Sequence, residues 1–314
     1  MLNIMASVNF TFFLSFSIII LGFFLRQLKI FRIEDGRTLS KIIINITLPA
    51  VILNTISKIQ IDFSLGIMPL ICLIYTIIVL GFNMIISRNL VPQDKGVLLM
   101  TVITFNVGNF AYPIFERIWG EIGLAYAAMF DIGNAFVIFA VCYIIAAINS
   151  PKNLVEEKKP EIKVILKKAL TSPPLVSYFL ALILNVLHLT IPSSITTFLD
   201  VFAKANMGIV LLCLGILLDF HFDKHQWHSI LQILLIRYSF GICFGLLCYF
   251  FLPFSELVRI LIFILLILPV GMSIIPYGIE FGFDEQKIAT ICNLTIIISF
   301  LLMWLIIGIF GTGL

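Results

Sequence analysis

Apolar runs of about twenty residues recur from one end of this chain to the other. No other feature restricts its fold so severely, because about twenty apolar residues in a helix span the hydrocarbon core of a bilayer. Of 314 residues, 61% are hydrophobic and 12% charged, against about a quarter charged in a soluble domain. The mean hydropathy is +1.14. The chain therefore reads as an integral membrane protein. None of the runs alternates polar and apolar residues as a barrel strand would, so the expected class is an all-α polytopic membrane protein. Ten transmembrane helices are expected, at about 5–25, 38–57, 64–86, 96–115, 121–148, 173–190, 199–219, 228–251, 257–280 and 288–310.

Positive charge sets the orientation of such spans, since cytoplasmic connections collect Lys and Arg. Fourteen of the twenty Lys and Arg residues fall on one side of the expected spans, from Arg26 through Lys152 to Lys287. The other side has only Lys58 and Arg117, and four more lie within spans. Both termini are thus expected outside a cell (plasma or inner) membrane, with the central loop in the cytoplasm. No basic residue precedes the first apolar run and a basic cluster follows it, the reverse of a secretory signal, so this run reads as a retained helix. The six cysteines lie in apolar spans without a CxxC pair and read as small packing side chains.

Residues 150–168 form the only extended charged segment and divide the chain into five spans and five spans, 1–149 and 169–314. An odd number per half makes the second half enter the membrane upside down relative to the first, an inverted repeat of the kind that builds secondary carriers. The halves share a further feature. The fourth span holds NVGNFAYPIF at 106–115, with Asn106, Gly108, Asn109 and Pro113 close together. The ninth, fourth of its own half, reads LPVGMSIIPYGIEFG and carries Pro269, Gly271, Pro276 and Gly278. Each proline removes a backbone donor and clashes with the preceding turn. A packing kink accounts for any single proline, whereas matched interruptions in both halves point to a binding site near the midplane.

Two broken helices that cross bring half-helix N-termini together, and their N–H groups and partial positive charge suit a carboxylate. Asn106 and Asn109 add amide donors, Tyr112 a hydroxyl or an aromatic wall, and Ser273 and Tyr277 contribute from the other half. Asp131 and Asn134 lie deep in the fifth span, where a carboxylate is costly and marks function by default. Proton or sodium coupling is one reading of this pair; pairing of Asp131 with a basic side chain such as Arg237 is the other. Lys204 is read as a local partner of Asp200, and Asn185, His188, Asn206 and Asn293 as bonds between neighbouring helices. His221, Asp223, His225 and His228 invite a metal reading that no metal motif supports. The chain has no GxxxxGK[ST] loop, no nucleophile-and-base constellation and no nucleic-acid footprint. No enzyme, cofactor, metal or nucleic-acid partner is expected.

The stretches LGFFLRQLKIFRIEDGRTLSKIIINITLPAVIL at 21–53 and NVGNFAYPIFERIWGEIGLAY at 106–126 resemble the auxin efflux carriers and their bacterial relatives, which share a fold with bile-acid/sodium symporters. Leu48-Pro49, Asn106, Gly108, Ala111, Pro113 and Gly120 occupy the family's places, MGIVLLCLGILL at 207–218 resembles its seventh span, and Pro269 matches the proline of its ninth. Two positions depart: Ala111 stands where glycine is usual, and Ser273, followed by an additional Pro276, where an asparagine often follows Pro269. The resemblance implies carriage of small organic anions, indole-acetate-like acids or malate- and malonate-like dicarboxylates. It also implies that spans one, two, six and seven form a scaffold, that three to five and eight to ten move, and that the protein is a homodimer. A substrate site at Asn106, Gly108, Asn109, Tyr112, Pro113, Pro269, Ser273, Pro276 and Tyr277 is the expectation. A sodium-coupled symporter of the bile-acid type and a membrane receptor that binds without transport are the alternatives.

Overall fold

A computed structural model describes residues 2–57, 61–152, 163, 171–218 and 226–310. Most of the charged central segment lies outside them, as do His221, Asp223 and His225. Helices are the only regular structure among the described residues, with no strand, in keeping with the all-α expectation. The helices are α1 (Leu2–Gln27), α2 (Ile33–Ile42), α3 (Leu48–Ile56), α4 (Phe63–Gly66), α5 (Met68–Ile86), α6 (Pro92–Ile103), α7 (Tyr112–Phe136) and α8 (Tyr143–Ile148). After the central segment come α9 (Pro173–Val186), α10 (Ser193–Leu217), α11 (Trp227–Phe251), α12 (Glu256–Leu266), α13 (Ile275–Phe281) and α14 (Glu285–Phe310). Short π turns join α2 to α3 (Ile43–Thr47), precede α7 (Val107–Ala111) and join α7 to α8 (Val137–Cys142).

Six helical runs among the described residues are long and apolar enough to cross a membrane: 33–56, 63–86, 107–148, 193–217, 227–251 and 285–310. The third, at 42 residues, would extend about 63 Å as one helix, twice the hydrocarbon thickness. Gly120 resolves this. Its φ of 61° and ψ of −149° interrupt α7 in a conformation that side chains with a Cβ avoid, and the chain turns there.

Packing gathers the helices into two groups. In the first, α10 lies against α1, α2 and α3, and α9 against α3. In the second, α5 packs on α6 and α7, α11 on α6 and α12, and α14 on α12 and α13. The groups meet through α7, which touches α1, α3, α9 and α10. Large apolar side chains such as Ile77, Leu235, Phe250 and Leu301 remain exposed on the outer faces, as lipid-facing residues must. The start of the central segment is anchored: Ser150 Oγ donates to the Phe281 carbonyl (2.8 Å), and Lys152 Nζ to those of Ile279 (2.8 Å) and Glu280 (3.2 Å) at the end of α13.

Candidate functional site

Helix α6 stops at Ile103, and Thr104, Phe105 and Asn106 leave the helical path before the π turn begins. The freed backbone is held by side chains. Asn134 clamps Phe105 on both sides, its Oδ1 accepting from the Phe105 N–H (3.0 Å) and its Nδ2 donating to the Phe105 carbonyl (2.9 Å). The Asn106 N–H donates to the carbonyl of Pro269 in the other broken helix, 2.9 Å away. The break thus lies seven to nine residues ahead of Pro113, not around it as the sequence pattern implied. Pro113 sits in the first turn of α7, where a missing N–H costs little. The π turn before it lets the Tyr112 N–H reach back five residues to Val107, stepping around the proline. The same device precedes Pro49, where the Leu48 N–H reaches the Ile43 carbonyl.

The second break follows α12. Ile267 to Gly271 are non-helical, a short 3₁₀ turn covers Met272–Ile274, and α13 begins at Ile275 with Pro276 in its first turn. Here the clamp comes from α14: Thr295 Oγ1 accepts from the Val270 N–H (3.1 Å), and Ser299 Oγ donates to the Ile267 carbonyl (2.6 Å). The two breaks touch, since a Cβ on Gly271 would stand only 3.1 Å from the Phe105 carbonyl oxygen.

Arg237, 1% exposed on α11, ties the breaks together. Nη1 donates to the Thr101 carbonyl (2.6 Å), and Nη2 to those of Thr104 (2.8 Å) and Leu268 (2.6 Å). These carbonyls end α6 and follow α12, where helix partners are missing and the dipole is negative. The guanidinium also lies over the Phe105 ring, 5.1 Å from its centroid. Arg237 is therefore not the partner of Asp131 that sequence reasoning offered. Its burial was legible; its targets were not, although two interrupted helices in one chain do call for such a donor.

A cavity of about 190 Å³ opens beside the crossing. Asn106, Gly108 and Asn109 line it from the first break, and Gly271, Ser273, Pro276 and Tyr277 from the second. Asp131 and Asn134 face it from α7. Tyr112, Pro113 and Pro269 do not line it: the Pro269 carbonyl accepts from the Asn106 N–H, the Tyr112 hydroxyl meets that of Tyr178, and Pro113 stays in the first turn of α7. Asn106 is 4% exposed and its side-chain Nδ2 has no hydrogen-bond partner. A buried amide left in that state is costly unless something arrives to accept from it.

Asp131 ends a chain of hydroxyls. Its Oδ1 accepts from Asn134 Nδ2 (2.7 Å) and its Oδ2 from the Tyr178 hydroxyl (2.6 Å). The Tyr178 hydroxyl is in turn 2.5 Å from that of Tyr112. Tyr178, on α9, was not singled out by its sequence; only the fold brings it to this cavity.

A second cavity of about 430 Å³ adjoins the first through Ile44, Asn109, Ser273 and Pro276. It carries Arg37 and Lys41 from α2 and Glu280 from α13, and it includes Asn293. A third, of about 370 Å³, is lined by Asn54, Glu116, Glu121 and Tyr126. Asn293 stands in the cavity that adjoins the two breaks. Other polar residues join helices as expected: Thr47 Oγ1 donates to Asn206 Oδ1 (2.7 Å), and Asn185 Nδ2 to the Ile56 carbonyl (2.7 Å). Asp200 accepts from Asn54 Nδ2 and is not bound to Lys204. His228 opens α11, and among the described residues no three His, Cys, Asp or Glu side chains gather as a metal site.

The chain is similar to known membrane transport proteins. A family model described as membrane transport protein matches residues 10–307. An uncharacterized transporter of Methanothermobacter thermautotrophicus is 25% identical over 214 residues, 67% of this chain and 67% of the relative. Another, of Methanocaldococcus jannaschii, is 26% identical over 214 residues, 64% of this chain and 66% of the relative. The matches thus span about two thirds of each relative. The family model covers nearly the whole chain, and the chain belongs to the membrane transport protein family, the auxin efflux carrier family whose motifs it carries at 21–53 and 106–126.

Proposed function

We propose that the protein is a secondary carrier that moves a small carboxylate across the membrane by alternating access, with the cavity at the crossing as its substrate site. The observation that carries this reading is the unpartnered Asn106 amide, buried and lining that cavity. The N-termini of the helices that restart at Val107 and Met272 supply further N–H groups there. Ten passes follow when α1 is added, the run at 107–148 is divided at Gly120, and each broken helix is counted once with α9. Inverted five-pass halves are supported by the matched clamps. Asn134 holds the first break three residues after Asp131, and Thr295 the second three residues after Cys292.

The group of α1, α2, α3, α9 and α10 serves as scaffold and the other as the moving body, hinged on the contacts of α7. The basic vestibule of Arg37 and Lys41 lies on the side we assign to the cytoplasm, so we read this conformation as inward-facing, with a vestibule that draws anions toward the first cavity.

The test is Asn106→Ala, read by binding and flux of radiolabelled malonate, malate and indole-3-acetate in proteoliposomes. Losing one hydrogen bond to a charged group costs about 1.5–3 kcal/mol, a tenfold to hundredfold drop in affinity. Asn83→Ala, whose amide donates within α5 to the Val79 carbonyl, is the comparison and should bind as the parent does. Unchanged affinity in Asn106→Ala would overturn the site. Binding by the parent without flux into sealed vesicles would favour a receptor, and flux that follows a sodium gradient a sodium-coupled symporter.

A further inference from the structure

We propose that Asp131 is a proton site of this cavity, so that a carboxylate and a proton are taken up together, one for one. Asp131 lines the cavity and is 7% exposed. Its oxygens accept from a neutral amide and a neutral hydroxyl. The buried guanidinium that could have balanced it is occupied by three carbonyls beyond the Phe105 ring. A second anion entering about 190 Å³ of poorly solvated space would meet an uncompensated negative charge. Neutralising one of the two with a proton removes that repulsion, and by linkage each ligand then favours the other.

The groups around Asp131 are suited to this. Facing Asp131 are Cys72 from α5, Tyr112 from the start of α7 and Tyr178 from α9, while Tyr75 on α5 and Arg237 on α11 lie against the Phe105 ring. Helix α10 carries Asp200, bound to Asn54, Lys204, and Cys213, bound to Ser40 and the Gly36 carbonyl. Helix α12 carries Glu256 at its start and Arg259, which donates to the Tyr249 carbonyl. Asp62 caps α4 through the Leu65 N–H, and Arg26, at the end of α1, donates to the Ile216 and Leu218 carbonyls. The adjoining vestibule adds Arg37, Lys41 and Glu280, and the cavity wall Tyr277. Among the described residues, no carboxylate other than Asp131 lines the cavity itself.

The hydroxyl chain gives the proton a consequence. With Asp131 ionised, Tyr112 donates to Tyr178 and Tyr178 to the carboxylate. With Asp131 protonated, the carboxyl donates to Tyr178 and the direction reverses without movement of any heavy atom. Asp131 and Tyr178 belong to the two packed groups, so protonation exchanges a charge-assisted bond between them for a weaker neutral one. Protonation thus weakens, without removing, the tie between the two groups. Release of the proton restores the carboxylate and the bond.

This inference rests on the carrier reading, and the experiment separates the two. The full chain is reconstituted in vesicles held at zero voltage with potassium and valinomycin, one pH unit more acid outside. Uptake of radiolabelled malonate, malate and indole-3-acetate is measured, less that of protein-free vesicles. The parent is expected to accumulate the acid it carries about tenfold, as one proton per acid down a one-unit gradient requires. Asp131→Asn is expected to equilibrate the same acid to a ratio near one. A parent ratio near one, or parent-like accumulation by Asp131→Asn, overturns the proton site while leaving the carrier standing. No flux of any of the three acids in the parent overturns the carrier reading and the proton site with it. Where Asp131→Asn does not reconstitute or carries nothing, infrared difference spectra of the parent decide. Adding the carried acid, ¹³C-labelled at its carboxyls, must bring up an unlabelled protonated-carboxyl stretch, and its absence overturns the proposal.

Discussion

The two broken helices do the same mechanical work with different chemistry. Each stops, meets the other through non-helical backbone and restarts on a turn with proline close behind. The first break is held by a side-chain amide that grips one residue, Phe105, through both its N–H and its carbonyl, and it brings Asn106, Asn109, Asp131 and Asn134 to the cavity. The second is held by hydroxyls of Thr295 and Ser299 and brings Ser273, Pro276 and Tyr277. Where the first half has Asp131 three residues before its clamp, the second has Cys292. Both halves thus break and restart a helix, while the amide donors and the carboxylate that line the cavity come from the first half. A site can be structurally two-sided and chemically one-sided.

That comparison can be broken most forcefully at Arg237, the only side chain described that bonds both breaks. Arg237→Met leaves three buried carbonyls without donors, at about 1–3 kcal/mol each. Thermal unfolding in detergent should show a loss of at least about 3 kcal/mol. Arg237→Lys should recover only part, because one ammonium nitrogen cannot stand at both places from which Nη1 and Nη2 reach the three carbonyls. A variant as stable as the parent would mean that the breaks are held separately.

The clamps should rank by the bonds they make. Asn134→Ala gives up both bonds to Phe105 and one to Asp131, and should cost about 2–4 kcal/mol. Thr295→Val, losing the bond to Val270, should cost about 1–2 kcal/mol. The opposite order in the same unfolding assay would show that the second break carries more of the fold. Smallest of all is Ser273→Ala, a neutral hydroxyl at the cavity wall, expected to weaken carboxylate binding by about 0.5–1.5 kcal/mol, or roughly twofold to tenfold. A loss equal to that of Asn106→Ala would erase the asymmetry between the halves.

The sequence by itself determined the class and the two places to look. Apolar length, scarcity of charge and matched proline-glycine interruptions follow from local rules, because hydrocarbon punishes any unpaired backbone wherever it lies. Those rules brought Asn106, Gly108, Asn109, Ser273, Pro276 and Tyr277 into view, and the structure puts all six on one cavity. What local rules misjudged was the position of the first break, since a π turn can absorb the missing donor of Pro113 and leave the interruption upstream. Partners separated by tens to more than a hundred residues were beyond their reach. Tyr178 on Asp131, Thr295 on Val270 and Arg237 on Thr101, Thr104 and Leu268 exist only once the helices pack. Inside a membrane a buried polar group takes whichever partner the packing brings within about 3 Å, and that distance is set by the tertiary structure alone.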